Sequence, residues 1–522
     1  MNDKPKTKWR WRLLRWGLIG LAGVITLIAV VITEENWRGK RDWDNFRRTA
    51  EARGERLDLA FVVPPPVPDD QNFFAAPVVA EALKSEHGQN PDAPQPRGTN
   101  GVNRMNFNIY RGNSANWPTN GGNWQKGRLT DLKPWQRYFR TFSQSFEGRT
   151  NGFPVAAQPQ TPAADILLAL SCFNPALEEL RQASQRPYAR LPLDYEKGFG
   201  VVGDCLPWLA NEKRCAQFLE LRILAELEAG QSGPALDDVK LLLRVTDTIR
   251  NQPFLISHLV RIAMTAIALQ PIYEGLAQHR WNDTQLAALE AALATQDFLA
   301  DFQLAMRGER TCAIDEFETQ RLTREMKSFT EVLGAETIVT NSLRWMPSAY
   351  FYQNELAFAR MYEQFVLPLA DLTNQTISVA AYRAGQKDFQ EQSNHFSPYK
   401  ILARMTFPAV GKSVVRFATV QTDIDLARVA CALERYRLAY GEYPETLDAL
   451  APQFIVKLPH DIIGGQPLHY RRVDPPSPGS GAASGKFLLY SVGWNETDDG
   501  GQVAFRKSGS VDPEKGDWVW KN

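Results

Sequence analysis

The longest run of apolar residues lies near the N-terminus, from Trp16 to Thr33, and contains no charged side chain. As a helix this run spans roughly 27 Å at ~1.5 Å per residue, close to the thickness of a bilayer's hydrocarbon core. Lysine and arginine dominate the residues before it, whereas Glu34 and Glu35 follow it. Because positively charged flanks stay on the cytoplasmic side, the pattern predicts a cytoplasmic basic tail over 1–15 and a single-pass signal-anchor over 16–33. The rest of the chain is then extracytoplasmic, outside the inner membrane.

A cleaved signal peptide is the alternative for this run. Its apolar core is longer than the usual ~7–15 residues, and Val31-Ile32-Thr33 is not a small-x-small cleavage site. The uncleaved anchor is therefore favoured.

Residues 34–84 predict a juxtamembrane helix followed by a spacer. Asn36–Arg53 has an apolar face and a basic face, and Gly54 is expected to end it. The proline cluster over 64–68 predicts an extended spacer. Residues 85–130 are rich in Asn, Gly and Pro, which predicts an irregular insertion with a hairpin over Met105–Tyr110 and tryptophans that pack it down.

Residues 131–400 show helical periodicity almost throughout, which predicts a large helical ectodomain. Cys215–Glu228 and Ala235–Arg250 flank Gly230 and Pro234, the usual punctuation of an antiparallel helix pair. This hairpin resembles a single tetratricopeptide unit, but nothing recurs at the ~34-residue period, so a bundle is favoured over a repeat array.

Three further helices are predicted from apolar spacing and capping residues. The nearly all-apolar Phe254–Ala277 is expected at the centre of the bundle. Asn282 and Gln285 form a candidate capping box for a helix over Asn282–Met306. Tyr352–Gly385 is predicted as one continuous helix.

Residues 408–522 predict a small α+β module. A helix should run from Pro408 to Tyr440 and stop at Gly441. Leu468–Arg472 and Phe487–Val492 alternate apolar and polar positions, as strands with one buried face do. The fold class is therefore mainly α, with a membrane helix, a helical bundle and a small C-terminal antiparallel sheet.

The order of motifs after the long helix is specific. They are Gly441-Glu442-Tyr443-Pro444, then Pro459-x-Asp461-x-x-x-Gly465-x-Pro467, then Asp498-Asp499-Gly500-Gly501, and finally Asp517-Trp518-Val519-Trp520. Over residues 421–522 this order resembles the globular domain of the major pseudopilin of type II secretion systems. The loop here has one residue more between Asp461 and Gly465 than the family pattern. The resemblance implies a helix covering a small antiparallel sheet and a link to secretion or envelope assembly.

Two departures from that family concern the anchor. Pseudopilins have a processing site and a glutamate at the start of their membrane helix, but Trp16–Thr33 contains neither. In addition, residues 34–407 separate the anchor from the module. We therefore expect a tether that stays in the membrane and does not polymerise. The whole layout looks like uncharacterised single-pass bacterial envelope proteins that join a helical ectodomain to such a module.

The resemblance also implies a calcium site in the acidic C-terminal loop. The matching positions are Asp498, Asp499 and Asp517. Calcium needs about six or more oxygen ligands, of which three carboxylates supply part. The alternative is an ordinary solvated turn, because Asp and Gly are common turn residues.

Composition narrows the range of functions. Basic and acidic residues number 59 each, so no overall field favours nucleic acid. The cysteines Cys172, Cys205, Cys215, Cys312 and Cys431 and the scattered histidines show no zinc-ligand spacing. Cys205 and Cys215 are the one pair to test for a disulfide, with small buried apolar residues as the alternative. His258 is expected to be a core histidine.

No nucleophile elbow, phosphate-binding loop or paired catalytic carboxylates occur in the sequence. Two charged clusters remain as weak candidates for acid/base chemistry: Arg307, Glu309, Arg310 and Glu316, and Asp194, Glu196 and Asp204 beside Tyr188 and Tyr195. Two hypotheses for function follow. One is a non-catalytic, membrane-anchored scaffold or binding protein with a protein partner; the alternative is an extracytoplasmic hydrolase whose site is assembled from distant residues.

Overall fold

The computed structural model describes residues 6–87, 105–110, 117–118, 121–144, 153–323, 345–393, 397–473 and 486–521. Its α-helices are α1 Lys6–Ala52, α2 Pro77–His87, α3 Lys133–Gln144, α4 Pro162–Leu170, α5 Asn174–Ser184, α6 Val201–Glu228, α7 Ser232–Asp247, α8 Leu255–Ala277, α9 Asp283–Leu293, α10 Phe298–Thr323, α11 Ser348–Met361, α12 Val379–Ser393 and α13 Ile401–Tyr440. The strands are β1 Ala370–Asp371, β2 Thr376–Ile377, β3 His469–Val473, β4 Lys486–Ser491, β5 Val503–Phe505, β6 Val511–Gly516 and β7 Trp518–Lys521. The mainly α prediction is confirmed.

The anchor and the juxtamembrane segment form one helix, α1, rather than two. Its apolar part is fully exposed in the isolated chain and long enough to cross a membrane, which indicates membrane anchoring. The second half of α1 lies against the ectodomain, and Gly54 ends the helix in the left-handed conformation, with φ 84°. The predicted stop is therefore confirmed, and the anchor and the juxtamembrane helix expected from the sequence are one continuous helix.

A small hydrophobic cluster joins α1 rigidly to the ectodomain. Trp43 and Ala50 of α1 pack with Ile314 of α10 and with Tyr352 and Leu356 of α11. Gly39 makes the closest approach, because a Cβ atom there would lie 3.3 Å from the Cα atom of Ala349. The second half of α1 thus packs directly against the helical bundle.

The antiparallel hairpin is confirmed as α6 and α7, which meet at Gly230 (φ 75°). However, α6 begins at Val201, fourteen residues before the predicted start at Cys215, and contains Pro207. Pro207 is the seventh residue of α6, beyond the first turn in which a proline is tolerated best, so the helix lacks one backbone hydrogen bond there.

Helix α8 lies at the centre of the bundle, as predicted, with Ser257, His258 and Arg261 all buried. It is also long and apolar enough to cross a membrane, but just over half of its apolar window is buried in the protein. Its polar side chains need the partners that neighbouring helices provide, so α8 is a core helix.

The capping box of Asn282 and Gln285 is confirmed, but the helix that it starts is shorter than predicted. Helix α9 ends at Leu293, and α10 begins at Phe298. The Asp297 carboxylate accepts the Ala300 N–H (2.9 Å), and the Gln421 side chain accepts the Phe298 N–H (2.8 Å). These N-terminal caps favour a new helix over continuation of the old one.

The predicted continuous helix over Tyr352–Gly385 is also wrong. It breaks at a π turn (Tyr362–Val366), a 3₁₀ turn (Leu367–Leu369) and the β1–β2 hairpin. Asp371 holds the hairpin turn by accepting the Thr373 N–H (2.8 Å). The sequence pattern also predicts a helix over Glu318–Met346, most of which falls outside the described residues.

At the C-terminus, β3, β4 and β7 form an antiparallel sheet in that order, and β5 pairs with β6. The two predicted strands are confirmed, and Gly441 ends α13 in the left-handed conformation. Asp461 is buried and accepts the Ile463 and Val492 N–H groups and the Ser491 hydroxyl. It thereby fixes the loop before β3 to the end of β4.

One hydrophobic core extends from the ectodomain into this C-terminal sheet. Helix α13 packs against α8, α9 and α10 on one side and against β4 and β7 on the other. Part of the insertion joins the same core. Phe107 stacks on Phe218 (4.8 Å between ring centres) and Trp124 lies against Trp520 (5.2 Å). The predicted hairpin over Met105–Tyr110 is absent, since these six residues form no strand.

Candidate binding site

The first candidate cluster for acid/base chemistry lies on α10, and its side chains form structural ion pairs and hydrogen bonds. Arg307 and Arg310 each bind one oxygen of the Glu55 carboxylate, at 2.9 and 2.7 Å. Burial disfavours the ionised form of Glu55, but the hydrogen bonds from both guanidinium groups outweigh it and lower the pKa of Glu55. Glu309 accepts the Leu255 N–H (3.0 Å), and Glu316 accepts a hydrogen bond from Gln320 (2.8 Å). The four side chains do not meet at a common cavity.

The second predicted cluster forms an exposed turn. Asp204 pairs with Lys197 (3.0 Å), and Asp194 is exposed. The Tyr195 hydroxyl donates to Gln252 (3.1 Å), away from these carboxylates. Tyr188 is half exposed and bonds through its backbone to the Gln71–Phe73 segment. Glu196 lies in the 3₁₀ turn Tyr195–Gly200, and its side chain is outside the described part.

The three predicted calcium ligands lie on neighbouring loops, but each binds a different protein donor. Asp498 accepts the Tyr490 hydroxyl (3.0 Å), and Asp499 accepts the Asn495 side-chain amide (2.8 Å). Asp517 is buried and accepts the backbone N–H groups of Asp499 and Gly501. Among the described residues no group of three or more His, Cys, Asp or Glu side chains is placed to hold a metal ion. The calcium site stays a prediction.

Cys205 and Cys215 form no disulfide, and the alternative, that they are small buried residues, is confirmed. Both thiols are free and buried on the same helix, α6, separated by ten residues. That spacing is about 15 Å along a helix, far beyond the reach of a disulfide. His258 is a core residue, as predicted. It hydrogen-bonds the Gln252 carbonyl (2.8 Å), and burial lowers its pKa to about 3.

The structure reveals a basic groove that the sequence did not indicate. It is a cavity of about 730 Å³ where α5, α6 and α7 meet, and it carries four cationic side chains and one acidic one. Its lining residues are Arg181, Ser184, Gln185, Arg222, Pro234, Asp237, Lys240, Leu241 and Arg244.

Two of the four cations form ion pairs with buried carboxylates that lie beneath the groove. Arg181 and Arg222 bind the two oxygens of Asp238, at 2.5 and 2.7 Å, and Arg222 also pairs with Glu226 (3.0 Å). Asp238 and Glu226 are both buried under the groove. Burial, and then the neighbouring charge of Asp238, raise the pKa of Glu226 to about 8. Burial therefore makes Glu226 a weaker counter-ion for the cations above it than an exposed glutamate would be.

The other two cations have no carboxylate within ion-pair distance among the described residues. Lys240 is exposed, and Arg244 follows it by one helical turn on α7. Arg244 donates to the backbone carbonyls of Ser184 and Arg186, which fixes its position. Burial lowers the pKa of Arg244, since its positive charge is partly desolvated without a direct counter-ion. An anionic ligand would supply that counter-ion.

The groove was missed because its cations come from three helices. Arg181 and Arg222 lie 41 residues apart and meet only through Asp238. The one local signal is the pair Lys240 and Arg244, which share a face of α7. Such pairs are common on solvated helices, so the pair alone does not predict a site.

A scan against protein-family models finds no match to this chain, and searches of curated proteins and of solved structures find none either. The fold and the groove together define a mainly helical, membrane-anchored protein with a preformed cationic site.

The raised pKa of Glu226 predicts that the stability of the protein depends on pH in a specific way. Its pKa in the folded protein, about 8, lies above its ordinary value of 4.5. The corresponding stability is fully present below pH 4.5 and is lost as the pH rises through 8. Between pH 6 and 8 the wild type should lose about 2 kcal/mol more free energy of unfolding than the Glu226→Gln variant. Urea titrations of both proteins at several pH values measure this difference.

Glu178→Gln is the matched control, because Glu178 is an exposed neighbour of Arg181. Its pH profile should run parallel to the wild-type profile. Identical slopes for wild type and Glu226→Gln would contradict the elevated pKa.

Proposed function

We propose that this protein is a non-catalytic, membrane-anchored scaffold that binds an acidic segment of a partner protein in the basic groove. The observation that carries the proposal is the pair Lys240 and Arg244, two adjacent cations without direct counter-ions at the edge of a large open cavity. Arg181 and Arg222 add guanidinium groups, which bind carboxylates with good geometry.

The size of the groove favours a peptide over a single inorganic anion. A volume of about 730 Å³ lies within the range of pockets that hold drug-sized ligands, well above the volume of one carboxylate. The first turn of α7 borders the groove at Pro234 and contains no acidic residue, so the positive end of the helix dipole is not neutralised there.

The same proposal includes the location of the protein. The basic residues before Trp16 favour a cytoplasmic N-terminus and an extracytoplasmic groove, in the inner membrane of a bacterium. The motif order of residues 421–522 supports a role in secretion or envelope assembly. The lack of a processing site before the anchor argues against a role as a polymerising subunit.

Binding of a fluorescent polyglutamate peptide to the full-length protein in detergent tests the groove directly. We expect saturable binding that weakens with added salt, because the contacts are ionic. Lys240→Glu should reduce the affinity roughly tenfold, which corresponds to about 1.4 kcal/mol. A polyglutamine peptide should not bind.

Lys213→Glu provides the control for this experiment. Lys213 is an exposed lysine on α6 that does not line the groove, so its reversal makes the same change in net charge. Its affinity for the peptide should stay close to wild type. Equal losses in both variants would indicate a general charge effect and would contradict the proposed site.

The natural partner is then sought in living cells with a photo-crosslinking amino acid at the position of Gln185, an exposed residue that lines the groove, with position 213 as the control. We expect a product that depends on position 185 and disappears when Lys240 is changed to glutamate. Products of equal yield from both positions would count against it.

A further inference from the structure

Three parts of the protein lie beside α1 just after its apolar stretch, Trp16–Thr33, comes to an end. At the start of α11, the Ala349 N–H donates to the Asn36 side chain (2.7 Å). Before α13, Tyr399 in the 3₁₀ turn Pro398–Lys400 hydrogen-bonds the Glu35 carboxylate. Asn36 follows Thr33, the last residue of the uncharged run, by three residues, about 4.5 Å along the helix. These contacts therefore lie just above the hydrocarbon of the bilayer.

The third part is the C-terminal end of α10. The Arg321 guanidinium lies over the Tyr352 ring, 4.7 Å from its centre, and Tyr352 packs beside Gly39 of α1. Farther from the membrane, Arg310 of the same helix binds Glu55. Helix α10 thus runs down toward the bilayer as α1 runs up from it.

Helix α11 runs in the opposite direction to α10. It starts at the level of Asn36 and ends near Arg53, which pairs with Glu363 (2.8 Å). Residues 345–347, directly before the helix, therefore lie on the membrane side of α11. Trp345 precedes the helix by three residues, a distance that spans up to about 10 Å of extended chain.

Large apolar side chains are exposed at this level. Trp345 is 86% exposed, Leu322 is 68% exposed and Trp37 is 61% exposed. Such exposure is unfavourable in water, but tryptophan is enriched where membranes meet water, because the ring is apolar and the indole N–H is polar.

We propose that Trp37, Leu322 and Trp345 form a membrane-contact surface that lies in the headgroup layer of the bilayer crossed by α1. The surface is continuous with the anchor helix, and it is the bilayer itself that covers it. The ectodomain then stands on its own membrane at a fixed tilt rather than moving freely on a flexible tether.

Charge in this region favours no particular lipid headgroup. Arg38 pairs with Glu35, and Lys40 pairs with Asp44. Arg41 lies over the Trp37 ring, 4.8 Å from its centre. The contact should therefore form equally on zwitterionic and on anionic bilayers, which distinguishes it from electrostatic adsorption.

Spin-label accessibility on the full-length protein in phosphatidylcholine nanodiscs tests this surface. The label is placed at Trp345→Cys, with Cys172→Ala added to remove the exposed native thiol. Val456→Cys is the control, because Val456 is 87% exposed. Val456 follows Phe454 by two residues, and the Phe454 carbonyl accepts a hydrogen bond from Arg435 of α13. Arg435 lies roughly 50 Å along this helix from Lys400, so Val456 is far from the proposed surface.

At position 345 we expect high accessibility to oxygen and a several-fold lower accessibility to a water-soluble nickel chelate than at position 456. The same result is expected when phosphatidylglycerol is added to the nanodiscs. Equal nickel accessibility at both positions would overturn the proposal. Dipolar broadening at position 345 would also overturn it, since a second copy of the chain would then cover the surface.

Discussion

Replacing Gly308 by alanine is expected to reduce the free energy of unfolding by about 3 kcal/mol, because the added methyl group overpacks a rigid contact. Gly308 lies on α10 where this helix crosses the start of α8. A Cβ atom there would lie 1.6 Å from the carbonyl oxygen of Pro253 and 2.6 Å from its carbonyl carbon. These are backbone atoms, so no side-chain rotation relieves the overlap. Urea titration followed by circular dichroism measures the loss.

The matched control for this variant is Gly203→Ala. Gly203 is an exposed residue inside α6, and a Cβ atom there would meet nothing within 4 Å. Alanine is the better helix former, so this change should stabilise the protein by roughly 0.5–1 kcal/mol. If both alanine variants had the same effect on stability, the close contact at Gly308 would be refuted.

The Glu55→Gln variant should also lose about 3 kcal/mol, since it leaves a buried cation without its counter-ion. The Arg310 side chain is fully buried, and Glu55 is the carboxylate that pairs with it. Only Nη2 of Arg310 binds Glu55, and the Nε and Nη1 groups have no hydrogen-bond partner among the described residues. The amide of glutamine cannot neutralise this charge. Thermal unfolding monitored by near-UV circular dichroism measures the effect.

Two further variants separate this explanation from a general loss of packing. Glu51→Gln removes an exposed ion pair with Arg47 and should cost no more than about 0.5 kcal/mol. Arg310→Met in the Glu55→Gln background should recover much of the stability, because it removes the unpaired charge. A double variant less stable than Glu55→Gln would contradict the charge argument.

The same ion pair explains why the first candidate cluster for acid/base chemistry does not form a site. In the sequence, Arg307 and Arg310 stand near Glu309 and Glu316, which suggested one mixed-charge site. Their actual partner, Glu55, lies more than 250 residues earlier in the chain. A sequence does not show which distant carboxylate a buried arginine binds, because only packing of α1 on α10 creates that pair.

Helix ends were predictable where a single residue determines the backbone. Gly54, Gly230 and Gly441 all take the left-handed conformation that favours glycine, and each ends a helix as predicted. The breaks after Leu293 and Met361 were missed. The first break depends on Asp297, which caps the start of α10. The second runs through a π turn and a 3₁₀ turn into the hairpin whose turn Asp371 holds.

The basic groove could not be predicted from the sequence for a different reason. Its four cations lie on α5, α6 and α7, and they face one cavity because two of them share the buried Asp238. The composition of the whole chain did not suggest a basic surface, because basic and acidic residues are equal in number. Local charge depends on which acids are buried beneath a surface, and only the packed helices decide that.

The sequence by itself determined the membrane helix, the mainly α class, the hairpin of α6 and α7, and the two strands that begin the C-terminal sheet. Each of these follows from local periodicity or from residues close together in the chain. The tertiary structure alone decided that the anchor continues rigidly into the ectodomain, that Cys205 and Cys215 cannot pair, and that four cations form one groove. These features require contacts between residues far apart in sequence, and the energy of such contacts exists only once the helices are packed.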